Sequence, residues 1–159
     1  MLEDLKQLAF QEFTASEVCL VLRKLLGTQV KIGLSLLNYY VKNNIICPTG
    51  TGMHRGKRKF SFSDLVLLYW LFKLKREGVS VSKFKEACEI IQRKVKKKAD
   101  LMSLVLATDG ERIYVKSDSN ISGLVGQVLS GKGKGQYVWI FGFKNLTEDV
   151  KSVLVSAES

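Results

Sequence analysis

Basic side chains and glycines alternate in one short stretch of this 159-residue chain, at positions 49–62, which read TGTGMHRGKRKFSF. The cations of this stretch are Arg55, Lys57, Arg58 and Lys59. Clustered cations attract anions, and the glycines between them give the backbone the freedom to turn. Short alternating runs such as 59–62 favour strands at its edges. The stretch predicts a basic β-hairpin, with an ordinary basic surface loop as the alternative.

Residues suited to nucleophilic or metal chemistry are sparse. His54 is the only histidine, and Cys19, Cys47 and Cys88 lie far apart in the sequence. This pattern excludes a His-rich metal site, because such a site needs several ligands at characteristic spacings. His54 itself sits among glycines and cations, so we interpret it as a solvent-exposed loop residue. We therefore expect no metal, no cofactor and no enzymatic activity.

A second stretch that suits phosphate lies at 131–135, which reads GKGKG. It lacks the spacing of a P-loop and the Ser or Thr that follows one, so we interpret it as a flexible connection. A nucleotide-binding enzyme is accordingly the weakest of the alternatives.

The composition indicates a soluble protein of a reducing compartment. An odd number of scattered thiols does not fit a disulfide framework. The longest apolar run, at 65–72, is far shorter than the roughly 20 residues that cross a bilayer. The first ten residues carry Glu3 and Asp4 in place of a basic start and an apolar run. We expect a cytoplasmic protein with no membrane partner.

The positive charge of the chain is confined to its first part. Residues 1–98 hold 19 Lys and Arg against 8 Asp and Glu, a net charge of +11, whereas residues 99–159 hold 6 against 7, a net charge of −1. Clustered Lys and Arg are a general source of affinity for nucleic acids, because binding releases counterions. The division suggests a polyanion-binding module joined to a neutral one; added solubility is the alternative.

Two helices joined by a glycine are predicted ahead of the basic stretch. Thr14 and Glu17 have the spacing of a capping box, and Gly27 ends the helix that they begin. A second helix is expected to follow at once over 29–43, with Asn44 as a left-handed cap. Such a pair suggests a helix-turn-helix, although helical hairpins without a DNA function use the same turn.

Two further helices are predicted after the basic stretch. The first begins at 63–64 and ends at Gly78, and the second begins after Ser80 and reaches residue 98. An apolar stripe with heptad-like spacing runs along the second helix through Val81, Phe84, Cys88, Ile91 and Val95. The stripe is interpreted as a dimerisation seam, with packing against the preceding helix as the alternative.

The pattern changes after residue 99. Strands are predicted at 102–108 and 112–116, joined by a hairpin turn at 109–110, with a third strand at 136–143. Helices are predicted at 120–129 and from a cap at 145–148 to residue 155. The predicted fold class is α+β, with a mostly helical domain at 1–98 and a small α+β domain at 99–159.

Two ungapped stretches together resemble one known family, the MerR family of transcriptional regulators. In 35–48, SLLNYYVKNNIICP, the residues on matching positions are Leu37, Tyr39, Tyr40, Ile45, Ile46 and Pro48. In 56–87 they are Arg58, Ser61, Asp64, Leu65, Leu68, Leu71, Leu74, Gly78, Ser80, Val81 and Phe84. The resemblance covers about half the chain and implies a winged helix-turn-helix, with 35–48 as recognition helix and the basic hairpin as wing.

The sequence departs from the family pattern at the helix expected to read DNA. Asn38 stands where the family has arginine, Asn44 where it has glycine, and Phe60 where it has tyrosine. Between Phe13 and Leu37 the chain is several residues longer than the family pattern. The turn of the helix-turn-helix therefore cannot be copied from the family.

The resemblance implies a sequence-specific regulator that binds double-stranded DNA as a homodimer. On this hypothesis Lys31, Ser35 and Asn38 face the major groove, with Tyr39 or Tyr40 and the basic hairpin on phosphates. Core packing is the alternative for both tyrosines. A rival function is an antitoxin-like or phage-type DNA-binding protein whose part at 99–159 binds a protein partner. RNA as the ligand also stays open.

Overall fold

The computed structural model describes residues 11–27, 31–76, 78–94, 104–108, 113–117 and 139–158. In these residues the predicted α+β class is confirmed, with five helices and three small antiparallel sheets. The elements are β1 (Glu12–Phe13), α1 (Ala15–Leu26), α2 (Leu34–Lys42), β2 (Met53–His54), β3 (Lys57–Arg58), β4 (Phe60–Ser61), α3 (Phe62–Arg76), α4 (Val81–Lys94), β5 (Leu104–Thr108), β6 (Ile113–Ser117), β7 (Trp139–Gly142) and α5 (Phe143–Glu158).

The described residues group into two compact units. One contains those up to Trp70 together with those from Glu148 onward, and the other contains those from Leu71 to Thr147. Both α3 and α5 have residues in each unit. The predicted boundary after residue 98 marks a change in charge and pattern, and it stays a prediction.

Helix α1 begins and ends where the sequence predicts. The Thr14 hydroxyl accepts a hydrogen bond from the Glu17 amide at 3.3 Å, and the Glu17 carboxylate accepts one from the Thr14 amide at 3.0 Å. This reciprocal capping box satisfies two amides that the first turn leaves unpaired. Gly27 ends the helix with φ of 84°, a left-handed conformation that glycine adopts at little cost.

Helix α2 begins at Leu34, so the predicted start at residue 29 is wrong; residues 28–30 lie outside the described part. Gly33 occupies the N-cap without a side-chain hydrogen bond, which leaves no polar capping signal in the sequence. The connection is instead held by Arg23, whose Nε donates to the Ile32 carbonyl at 2.8 Å. The predicted left-handed cap is confirmed, since Asn44 has φ of 57°.

Helix α3 begins with a second reciprocal cap and runs through the core. The Ser61 amide donates to the Asp64 carboxylate at 2.8 Å, and the Asp64 amide donates to the Ser61 hydroxyl at 3.2 Å. Buried side chains lie on all sides of the helix, the pattern of a buried helix and not of a surface helix. They include Leu65, Val66, Leu68, Tyr69, Trp70, Leu71, Phe72 and Leu74.

In the first unit α1 packs against α2, and β1 pairs with β4. The β1–β4 pairing joins Glu12 to Ser61 and Phe13 to Phe60. Tyr69 on α3 donates from its hydroxyl to the Asp149 carboxylate of α5 at 3.0 Å. The start of α1, the chain before α3 and the last helix are thereby held to one core.

In the second unit α4 packs against β6, and the sheet has the order β6-β5-β7. Phe84, Cys88 and Ile91, three residues of the predicted dimerisation stripe, are buried within their own chain, whereas Val81 is half-buried. Buried side chains cannot also form an interface between two copies in this conformation. Val95 lies outside the described residues, and the dimer itself stays a prediction.

The remaining predictions for the second half have mixed outcomes. Strands are present at Leu104–Thr108, Ile113–Ser117 and Trp139–Gly142, within or close to the predicted runs. Helix α5 begins at Phe143, two residues before the predicted cap, so that the strand and the helix are contiguous. The predicted turn at 109–110, the helix at 120–129 and the loop at 131–135 lie outside the described residues. None of the helices in the described part is long and apolar enough to cross a membrane.

Candidate nucleic-acid interface

A groove of about 720 Å³ opens between the start of α1, one face of α2 and the hairpin formed by β2 and β3. We call the segment Met53–Arg58 the basic hairpin and this cavity the groove. The residues that line the groove are Thr14, Ala15, Ser16, Leu34, Asn38, Val41, Lys42, Pro48, His54, Arg55, Lys57, Arg58, Lys59 and Phe60.

The charge of the groove has one sign. Its lining contains five cations, namely Lys42, Arg55, Lys57, Arg58 and Lys59, and it contains no carboxylate. Within the described residues none of the five forms an ion pair, and all but the half-buried Lys59 are exposed. The first turn of α1 also borders the groove, and a helix N-terminus carries a partial positive charge. The groove is therefore suited to a polyanion.

The basic hairpin turns through two residues. His54 pairs with Lys57, and between them Arg55 and Gly56 have φ of 50° and 76°. Positive φ at both central residues is what a type I′ turn requires, and this turn matches the twist of the strands that it joins. Because cross-strand pairs alternate between faces, the His54–Lys57 pair and the Met53–Arg58 pair lie on opposite faces.

The hairpin is fixed at its base by two carboxylates. Asp64 accepts from the Thr49 amide at 2.7 Å and from the Thr49 hydroxyl at 3.0 Å, in addition to its bond with Ser61. Glu12 accepts from the Thr51 hydroxyl at 2.7 Å, from the Thr51 amide, and from the Gly52 amide at 2.8 Å. These bonds join the strand entering the hairpin to β1 and to the start of α3.

The two chain segments that lead into and out of the hairpin approach each other closely at its base. The Gly50 amide donates to the Lys59 carbonyl at 3.0 Å, and the Lys59 amide donates to the Gly52 carbonyl at 2.9 Å. A Cβ added at Gly50 would lie 2.8 Å from the Lys59 carbonyl carbon, closer than real Cβ atoms come. Only glycine fits this position without moving the strands apart.

The two carboxylates at the base differ in their electrostatics. Burial raises the pKa of Asp64, although hydrogen bonds from Thr49 and Ser61 act in the opposite direction. The pKa of Glu12 is lowered, first by the Thr51 hydroxyl and then by the Thr51 and Gly52 amides, which stabilise the carboxylate.

The structure brings some of the predicted DNA-facing residues together and leaves others apart. Asn38 lies in the groove, where its Oδ1 accepts from Lys57 Nζ at 3.4 Å. Lys31 and Ser35 are exposed, but they do not line the groove. Tyr39 is exposed over 57% of its surface, whereas Tyr40 is exposed over only 1%. The Tyr40 side chain belongs to the core, so the predicted phosphate contact is corrected for that residue.

The groove is also lined by residues that the sequence does not predict as DNA-facing, among them Lys42, Leu34 and His54. Lys42 lies one helical turn after Asn38, and Leu34 lies one turn before it, so the three share a face of α2. The four-residue spacing from Asn38 is the signal in the sequence from which Lys42 could be predicted. His54, interpreted as a loop residue, is exposed but lies in strand β2 and lines the groove.

No protein-family model matches the chain, and no curated protein matches it in sequence. The groove must therefore be interpreted from its own geometry and charge. Within the described residues no group of three or more His, Cys, Asp or Glu side chains is placed to hold a metal ion.

Proposed function

We propose that this protein binds double-stranded DNA as a winged helix-turn-helix regulator, with α1 and α2 as the helix pair and the basic hairpin as the wing. The observation that carries the proposal is the groove, whose lining holds five cations and no carboxylate. A row of Lys and Arg of this kind suits the phosphates of a nucleic acid, and counterion release supplies the affinity.

The position of α2 at the groove supports major-groove binding. Its exposed face carries Asn38 and Lys42, a polar and a basic side chain one turn apart. In a helix-turn-helix the second helix contacts base edges while neighbouring elements hold the backbone. The basic hairpin lies on the other side of the groove and would hold that backbone.

The rigid base of the hairpin supports the same proposal. Two carboxylates and a close glycine approach fix the position of the hairpin relative to β1 and α3. A wing that is held in place loses less conformational entropy when it meets the DNA backbone.

The direct test is selection of bound sequences from a random pool of duplex DNA by the full chain. The expected result is an enriched site, with an affinity that falls steeply as salt rises. Duplex RNA and single-stranded DNA serve as competitors, and preferential binding of either would overturn the assignment of duplex DNA. Absence of salt-dependent binding to any of them would overturn the nucleic-acid proposal.

A charge-reversal pair identifies the surface. Lys57→Glu with Arg58→Glu removes two phosphate contacts, each worth about 1.5–3 kcal/mol as a charge-assisted hydrogen bond, so binding should weaken by at least about a hundredfold. The salt slope should fall by about 2, close to one unit for each phosphate that is no longer neutralised. Lys24→Glu with Lys144→Glu is the matched control, since both are exposed and neither lines the groove.

A further inference from the structure

The contact between Asn38 and Lys57 fixes the orientation of a side chain that faces the groove. Lys57 Nζ lies 3.4 Å from Asn38 Oδ1, and both side chains are exposed. An ammonium group can only donate hydrogen bonds, so the end of the amide that faces it must be the oxygen. The amide NH₂ group of Asn38 therefore points away from the ammonium.

This orientation limits what Asn38 can recognise. An asparagine that contacts adenine in the major groove donates to N7 and accepts from the N6 amino group. Here the oxygen lies next to an ammonium, where a second donor would meet a positive charge. The NH₂ group and the remaining protons of Lys57 stay available, and all of them donate.

No lining residue of the groove competes for these donors as a carboxylate would. We propose that Asn38 and Lys57 act as one donor unit that binds a group with acceptors only, either a phosphate oxygen or the O6 and N7 edge of guanine. The proposal rests on duplex binding as the function. It makes Lys57 a positioning residue for Asn38 as well as a contact.

A double-mutant cycle tests the coupling. The variants are Asn38→Ala, Lys57→Met and the double substitution, measured by duplex affinity over a series of salt concentrations. Lys57→Met should lower the salt slope by about 1, and Asn38→Ala should leave it unchanged. If the two residues act as one unit, the double variant should bind at least threefold more tightly than the product of the single effects predicts. Single effects that multiply would overturn the proposal.

Two modified duplexes distinguish the sources of the acceptor. An uncharged methylphosphonate in the bound strand removes the charge and one non-bridging oxygen of one phosphate, and 7-deazaguanine removes the N7 acceptor. One of these two modifications, at a single position in the duplex, should lower the affinity of the wild-type protein. The same modification should not lower the affinity of the Asn38→Ala variant. If neither substitution loses its effect in that variant, the donor unit does not bind the duplex.

The controls separate this inference from the proposed function. Substitutions at exposed positions of this kind change stability little, so thermal unfolding should be close to wild type for every variant. Loss of salt-dependent binding by the wild-type protein would overturn the function itself. If the wild-type protein binds but the effects of the two single substitutions simply multiply, only the coupling of Asn38 to Lys57 would be overturned.

Discussion

The Asp64 carboxylate stabilises two backbone segments at once, because it accepts from Thr49 before the hairpin and from Ser61 at the start of α3. We expect Asp64→Ala to lower the free energy of unfolding by about 2–4 kcal/mol, since the buried Ser61 amide and the part-buried Thr49 amide lose their partner. Urea denaturation measures the change. Glu86→Ala, at an exposed position on α4, is the control and should stay within about 0.5 kcal/mol of wild type. A decrease below about 1 kcal/mol for Asp64→Ala would contradict this role.

We expect the stability of the protein in acid to depend on Glu12. Its pKa is lower in the folded chain than in the unfolded chain, so its contribution is complete above the unfolded pKa and is lost as the pH falls through the folded value. Glu12→Gln should therefore flatten the decline in stability between about pH 5 and pH 3. The urea midpoint across this range is the measurement. An unchanged acid slope would mean that the carboxylate does not hold the hairpin base.

The titration of Asp64 has the opposite effect on the stability of the protein in acid. Because burial raises its folded pKa, the folded chain takes up a proton more readily, and this group adds stability as the pH falls. Asp64→Asn should thus make the acid decline steeper than in wild type, measured by the same urea midpoints. The two variants serve as controls for each other, since a general effect of removing an acid would shift both in one direction.

At the scale of the element, the turn of the basic hairpin places a cation beside the groove in a backbone conformation that is unfavourable for its residue type. Arg55 has φ of 50°, a conformation that asparagine tolerates better. Arg55→Asn should raise stability by up to about 1 kcal/mol, measured by thermal unfolding, while weakening duplex binding and lowering the salt slope by about 1. Gly56→Ala, at φ of 76°, should instead destabilise the hairpin. Unchanged binding by Arg55→Asn would remove that residue from the interface.

Local signals explain which elements could be predicted from the sequence. The capping box of α1, Gly27 and Asn44 each act within a few residues, so their patterns lead directly to the observed helix ends. The start of α2 could not be predicted because Gly33 gives no capping hydrogen bond and the Arg23 contact joins residues nine apart. Helix α5 begins at Phe143, whose aromatic type favours a strand.

The candidate site likewise has one part that the sequence predicts and another that it does not. The cations of the hairpin are nearly contiguous in sequence, so one pattern predicts them together. Their fixed position depends on Glu12 and Asp64, which contact the hairpin base across 39 and 15 residues. Single-sequence patterns do not reveal pairings over such distances, and strands of two residues leave no alternation to detect.

At the scale of the whole molecule, substitution in the apolar stripe on α4 distinguishes a role in the core from a role in a dimer interface. Phe84 is fully buried, so Phe84→Ala should cost about 3–5 kcal/mol of stability by leaving a cavity, with no change in the mass measured by light scattering. Val155→Ala, at a residue exposed over 55% of its surface, is the apolar control and should cost little. A lower mass with unchanged stability would mean that Phe84 lies between two copies.

The contacts at the base of the hairpin also constrain how the sequence can diverge. Replacing Glu12 alone leaves the amides at 51 and 52 without their hydrogen-bond acceptor, and replacing Asp64 alone does the same to those at 49 and 61. The Thr51 and Thr49 hydroxyls also donate to Glu12 and Asp64, so positions 12 and 51 should change together among relatives of this chain, as should 49 and 64, with glycine retained at position 50. The exposed cations carry no such constraint. We therefore expect the residues that hold the base of the hairpin to be retained among relatives, and the charged residues at its tip to vary with the DNA sequence that they contact.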